Sequence, residues 1–327
     1  MHILITGAAG MIGRKLTASL VRDSTLNGCA IDRMTLTDLV APEKPTGAPF
    51  AVASVASDLA APGAAAPAVA DRPDVIFHLA AIVSGEAEAD FEKGYRVNFA
   101  GTRELLEAIR LAGDGYRPKL VFASSIAVFG APFPDAIVDD FFLTPLTSYG
   151  TQKAIGELLL ADYTRRGFLD GIGIRLPTIV VRPGKPNKAA SGFFSSIIRE
   201  PLNGQDALLP VSDDVRHWFA SPRAAVGFLV HAAELVRERL GARVNLTMPG
   251  LCCTVGEEIV ALARVAGASV TKRIRREPDE TVAKIVAGWP QNFDARRAMA
   301  LGFRAETSFD DIIRAHIEDE LGGRIAV

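Results

Sequence analysis

Cysteine is scarce in this sequence. Its three residues, Cys29 and the adjacent Cys252 and Cys253, show neither metal-ligand spacing nor the even pairing of a disulfide framework. No bound metal is predicted, and a disulfide-stapled secreted scaffold is excluded. An excess of charge of one sign is missing as well. The 36 Lys and Arg stand against 38 Asp and Glu, a formal charge of −2, so the dense basic footprint that nucleic acid requires is absent. Long hydrophobic runs are also wanting: the stretches near residues 75–83 and 224–233 each carry a histidine and fall short of a bilayer span. No membrane partner is expected. The first residues run straight into glycines, without the basic lead and apolar core of a secretion signal, which predicts a cytoplasmic location.

The 327 residues are enough for two domains. Through the first half, short apolar runs (His2–Thr6, then residues 34–38, 75–80, 120–125 and 173–181) alternate with helix-period segments at 10–22, 98–111 and 149–166. Strand-helix-strand recurrence predicts right-handed crossovers and a parallel sheet covered on both faces. The runs lack strict polar alternation, as burial on both sides requires. The Ala-rich residues 60–70 read as a short helix interrupted by Pro62 and Pro67, and the stretch RPGKPNKAASG after residue 181 as a turn-rich boundary. The prediction is therefore an α/β protein. A Rossmann-type doubly wound parallel sheet occupies residues 1–180, with returning segments from the second half, and a smaller C-terminal substrate lobe occupies residues 181–327.

Gly7, Gly10 and Gly13, in the string GAAGMIG, follow the first strand and open a helix. Gly7 suits the tight turn and Gly10 lets backbone approach a pyrophosphate. Gly13 permits close helix-sheet packing, and the helix start with Met11 and Ile12 favours the anion. Asp38 ends the second strand, where a carboxylate accepts hydrogen bonds from ribose hydroxyls and repels a 2′-phosphate. NAD is thereby favoured over NADP. Tyr149 and Lys153, four residues apart, project from one helix face. A tyrosine with an ordinary pKa near 10 is a poor base until a cation favours its phenolate, and Lys153 is placed to supply that charge. Ser124 and Ser125 close the strand at 120–125, at the sheet edge where open α/β sheets bind ligands.

With these residues on the page, the sequence resembles the extended short-chain dehydrogenase/reductase family, also called the NAD-dependent epimerase/dehydratase family. The likeness runs through the glycine fingerprint, Asp38, the Asp58-Leu59 pair, DVIFHLAA at 74–81, NFAGT at 98–102, SSIAVFG at 124–130, YGTQK at 149–153, RHWF at 216–219 and DARRA at 294–298. The resemblance implies a catalytic group of Ser125, Tyr149 and Lys153, with Lys153 also holding the nicotinamide ribose. It implies adenine contacts from Asp58 and Leu59, further cofactor contacts from Ala80, Ala81 and Asn98, and a homodimer through residues 98–111 and 149–166.

Two departures narrow the substrate. The family's dehydratases carry an Asp-Glu pair after the catalytic hydroxyl, where this chain reads Ile126-Ala127-Val128. Nucleotide-sugar members carry an Asn three residues after an Arg; here Arg175 is followed by Thr178. The strings SSIAVFGAP, SYGTQKAIGELLL and RLPTIVVRPGKPN most resemble the branch that oxidises a small sugar acid at its 2-hydroxyl. For such a substrate Arg216 is the expected carboxylate partner, with Arg182 and His217 as the next cations and with Ser84 and Thr178 supplying hydroxyl contacts. A nucleotide-sugar 4-epimerase using the same group and a non-catalytic dinucleotide sensor are the alternatives. His78 reads as a buried structural residue, His217 as a substrate-side one, Cys252 and Cys253 as inert thiols, and the run at 272–276 as a solvated strand face.

Overall fold

The computed structural model describes residues 1–184 and 191–326, which fall into two compact units. Part of the expected turn-rich stretch, residues 185–190, lies outside the described residues.

The first unit comprises Met1–Val128, Pro145–Leu176 and Val226–Thr247. Its sheet is built from β1 (His2–Thr6), β2 (Arg33–Asp38), β3 (Ala51–Ala56), β4 (Val75–His78), β5 (Lys119–Ser125), β6 (Asp170–Leu176) and β7 (Asn245–Thr247). The spatial order is β3-β2-β1-β4-β5-β6-β7, and every pairing is parallel. This is the doubly wound Rossmann-type order, whose direction reverses between β1 and β4. Ile3, Leu4 and Ile5 of β1 and Ile76 and Phe77 of β4 are buried without remainder, as strands covered on both faces must be. The helices that matter for the site are α1 (Met11–Asp23), α2 (Gly101–Leu111) and α3 (Ser148–Arg165).

The second unit comprises Phe129–Thr144, Pro177–Ala225 and Met248–Val327. Three helices, α4 (Gly192–Leu202), α5 (Val255–Ala266) and α6 (Phe309–Leu321), supply much of its core with Phe193, Phe194, Ile197, Leu262, Phe309 and Ile313. Its three-stranded sheet joins Thr178–Ile179, Arg216–Ala220 and Leu251–Thr254. No helix among the described residues is long and apolar enough to cross a membrane.

Four expectations are corrected. The single strand expected at 173–181 is two, because Pro177 has no N–H to give a ladder; β6 ends at Leu176 and Thr178–Ile179 pairs in the other unit's sheet. The chain therefore changes unit at Pro177 rather than after residue 180, and Phe129–Thr144 groups with the second unit. Residues 98–111 are not one regular helix: Tyr95–Ala100 form a π-helical turn that runs into α2. The alanine-rich helix covers only Ala65–Val69, beginning after Pro62 and holding Pro67 in its first turn, where a missing N–H costs little.

Candidate active site

The glycine loop is fixed by its neighbours. A Cβ on Gly7, whose φ is +73°, would meet the Ala80 amide nitrogen at 2.6 Å; one on Gly13 would collide with the Gly7 carbonyl and the Ala8 backbone. Gly10 caps α1 in an extended conformation and brings no capping side chain, so the first-turn amides, Met11 and Ile12 among them, stay uncapped donors at the positive end of the helix. Asp38 at the end of β2 accepts from the Ala9 amide at 3.0 Å and from the Leu39 amide at 2.7 Å. Its carboxylate thus ties the fingerprint loop to β2 with lone pairs to spare for ribose hydroxyls. Backbone that only glycine allows, an uncapped helix start and a carboxylate at the second strand end together fit an adenine dinucleotide.

The remaining expected cofactor residues lie in the same unit with differing exposure. Ala80 is half-buried and Ala81 exposed just after β4. Leu59 is buried, while Asp58 accepts from the Ala60 amide at 3.1 Å and forms an ion pair with Arg96. Asn98 needs correction as a direct contact. It is buried, with its side-chain oxygen on the Ile82 amide (2.8 Å) and its NH2 on the Ile82 carbonyl (3.2 Å) and the Gln152 side chain (2.8 Å). It braces the segment after β4 against α3.

Tyr149 and Lys153 stand in the first two turns of α3, a helix capped by Thr147, whose hydroxyl accepts from the Gly150 amide at 3.0 Å. A Cβ on Gly150 would collide with the Ala127 carbonyl, so this glycine lets the helix start lie against the chain leaving β5. Lys153 is 3% exposed. Its ammonium donates to the Ala123 carbonyl at 2.7 Å and lies 5.0 Å from the Phe122 ring centroid and 5.8 Å from that of Tyr149. Burial lowers its pKa to about 8, with the Glu157 charge opposing. It remains a cation at neutral pH, in contact range of the tyrosine ring.

The two serines at the end of β5 point to opposite faces, as strand geometry dictates. Ser124 is buried and its proton goes to Glu157 at 2.6 Å. Ser125 is half-buried and accepts from the Ala127 amide at 3.1 Å, a bond that does not use its own hydroxyl proton. Ser84 opens the short helix Ser84–Ala89 in this unit. Sequence reasoning missed the Glu157–Arg175 pair beneath Lys153, although a glutamate one turn beyond the lysine was a signal for it.

His78 is structural. The Thr102 hydroxyl donates to the Asn98 carbonyl at 2.7 Å, so it must accept from His78 Nε2 at 3.0 Å, and Nδ1 then accepts from Thr6 at 2.8 Å. Burial, aided by the Lys153 charge, pushes its pKa down to about 3.

In the second unit Thr178 and His217 are joined, Oγ1 to Nε2, at 2.6 Å. His217 is buried, stacked on Phe194 with ring centroids 5.3 Å apart, and burial drops its pKa to about 3. It is neutral at physiological pH, which removes it as a carboxylate-binding cation. Arg182 donates to the Ile179 carbonyl and the Ser191 hydroxyl, both at 2.9 Å. Arg216 is exposed at the start of its strand. Cys253 is buried and its thiol pKa is pushed up by burial, and that of Cys252 likewise; neither is a ready nucleophile.

Comparison with known proteins adds an independent line. A sequence profile of the NAD dependent epimerase/dehydratase family matches residues 3–245. The chain is 50% identical over 323 residues to a D-erythronate dehydrogenase of Cupriavidus necator, covering 98% of each. It is 41% identical over 321 residues to a D-erythronate dehydrogenase of Haemophilus influenzae, covering 98% of this chain and all of that one. Among solved structures, one described as the nucleoside-diphosphate-sugar epimerase from Agrobacterium tumefaciens superposes with a TM-score of 0.98 at 62% identity, over 100% of this chain and 96% of that one.

Proposed function

The chain belongs to the NAD dependent epimerase/dehydratase family, and we propose that it is an NAD-dependent dehydrogenase that oxidises the 2-hydroxyl of a small sugar acid, D-erythronate first. The observation that carries the reading is the buried Lys153 ammonium held 5.8 Å from the Tyr149 ring centroid in a chain half identical to a D-erythronate dehydrogenase. NAD, when bound, supplies a hydride acceptor. Gly7, Gly10, Met11, Ile12, Gly13 and Asp38 would hold its adenosine and pyrophosphate, and Lys153 its nicotinamide ribose. The chain's own residues handle the proton. Lys153 favours the Tyr149 phenolate, which takes the substrate hydroxyl proton as general base. Ser125 donates to the same substrate oxygen and orients it.

The carboxylate of the substrate calls for a cation, and Arg216 is assigned that role on chemistry: its planar fork suits a carboxylate and it is exposed at the start of its strand, where it also meets the Cys252 thiol, while His217 is neutral. Ser84 and Thr178 are assigned to the hydroxyls. A homodimer through residues 98–111 and 149–166 belongs to the same proposal, supported by the exposed apolar Leu111 and Leu158 on α2 and α3.

A second reading, a nucleotide-sugar 4-epimerase, is favoured by the name of the Agrobacterium structure. Against it stands Thr178 where the family's nucleotide-sugar members carry Asn. The test compares D-erythronate with the neutral polyol erythritol by NADH absorbance, in the parent and in Arg216→Ala. The acid reading expects preference for the acid and at least a tenfold loss of it in the variant. Preference for erythritol would refute it.

A further inference from the structure

The reading above uses Tyr149, Lys153 and Ser125 but leaves a fully buried charge beneath them unexplained. Glu157 lies one turn after Lys153 on α3 and is 0% exposed. Arg175 from β6 forks onto its carboxylate, with Nε at 2.9 and 3.1 Å from the two oxygens and Nη2 at 2.8 Å. Ser124 from β5 donates to the same carboxylate at 2.6 Å, and Asn245 from β7 donates to the Glu157 carbonyl at 3.3 Å. Three neighbouring strands therefore hold one turn of one helix. An apolar set of equal volume would hold that turn as well, since a buried ion pair adds little net stability over good packing. What an apolar set would not provide is an anion beside Lys153.

The groups facing the Lys153 ammonium are Tyr149 and Glu157 from its own helix, His78 from β4, the Phe122 ring and Ala123 carbonyl from β5, and Arg175 from β6 through its pair with Glu157. His78 is neutral. Among these groups Glu157 supplies the negative charge that opposes desolvation of the ammonium. Arg175 and Ser124 satisfy that carboxylate with charge-assisted hydrogen bonds.

We infer that Glu157, clamped by Arg175 and Ser124, is the positioning residue of the site: its carboxylate keeps the buried Lys153 charged, and its hold on Ser124 fixes the strand end from which Ser125 projects. This rests on the reading of Lys153 as the cation beside Tyr149. Within the pair it is the carboxylate whose charge opposes the desolvation of the ammonium.

The direct test needs no substrate. The full-length protein, labelled with carbon-13 at the lysine Cε, is titrated by NMR, and the Lys153 resonance is assigned by its disappearance in Lys153→Met. The parent midpoint is expected near 8, and Glu157→Gln should lower it by about one unit or more. Because that variant leaves Arg175 unmatched and risks the fold, the neutral pair Glu157→Gln with Arg175→Gln reads the same midpoint with the charges balanced. Turnover of D-erythronate is followed alongside: its high-pH limb should move down with the midpoint while KM changes less than kcat. A midpoint equal to the parent's in a folded variant overturns the inference. Normal turnover in Lys153→Met overturns the underlying reading instead, and the two failures are thereby told apart.

Discussion

Glu157 on α3 and Glu258 on α5 are both fully buried, yet their surroundings are opposite. The first, in the nucleotide-type unit, meets Arg175, Ser124 and the charge of Lys153. The second, in the other unit, has no hydrogen-bond partner on either oxygen among the described residues, and burial raises its pKa well above the carboxylate range, so it is kept protonated. Its neighbour Cys253 is likewise held neutral by burial, and His217 is neutral in the same unit. The difference teaches where this protein keeps interior charge. The first unit surrounds its buried carboxylate with partners beside Lys153; the second pairs Arg199 with Glu200 but leaves Glu258 without a partner among the described residues and therefore uncharged, at a cost in stability.

The largest expected effect separates the two regions by activity. Tyr149→Phe should lower turnover by about 10²–10⁴-fold with the fold intact, the usual contribution of a positioned general base, while Glu258→Gln should leave turnover near the parent value. Steady-state NADH formation reads both, and comparable losses would break the comparison.

Next in size is stability. Removing one partner of a buried pair strands the other charge, so Glu157→Ala should cost about 3–5 kcal/mol. Glu258→Met, of similar volume, removes an unsatisfied polar group and should be neutral or stabilising by about 1–3 kcal/mol. Urea unfolding followed by circular dichroism measures both, and the account expects opposite signs or at least a gap of several kcal/mol.

The smallest effect is a slope. Glu258 has a folded pKa above its unfolded value, so its contribution is present below about pH 4.3 and is lost as pH rises towards the folded value. His78 and His217 run the other way: depressed to about 3, they contribute fully above about pH 6.5 and lose stability as pH falls. Between pH 6.5 and 8 the Glu258 decline, at most about 1.4 kcal/mol per pH unit, runs against gains from the histidines at the lower end and from Lys153 as pH nears 8. Thermal melts of Glu258→Gln across that window should lack that decline, so the variant's stability rises relative to the parent's as pH increases. Parallel curves would show that Glu258 does not titrate as its burial demands.

Much of this was legible in the chain. The glycine fingerprint, the Asp38 strand end and the apolar runs of β1, β4 and β5 carry their meaning locally, through φ > 0, close approach and two-sided burial. Tyr149 and Lys153 were readable because helical spacing alone puts them on one face. β3 was invisible: its AVASVA sequence is an edge strand of small residues without apolar bulk. Pro177 divides what looked like one strand, a decision made by a missing N–H rather than by hydropathy. Asn98 looked like a ligand contact because an amide side chain suits either role; only its three bonds to Ile82 and Gln152 show it braced inside the protein. His217 misled for a related reason, since the sequence gives no measure of the burial that neutralises it. Glu157 was missed because its partners come from strands 18 and 33 residues away.

The central claim, net oxidation of a sugar acid at the Tyr149–Lys153 site, is tested most directly by offering the purified protein NAD with a panel of C3–C6 aldonic acids and, separately, UDP-sugars, while recording absorbance of NADH. The account predicts NADH in step with D-erythronate consumed, none in Tyr149→Phe, and none from UDP-sugars. Interconversion of a UDP-sugar without net NADH, and no oxidation of any acid in the panel, would contradict it.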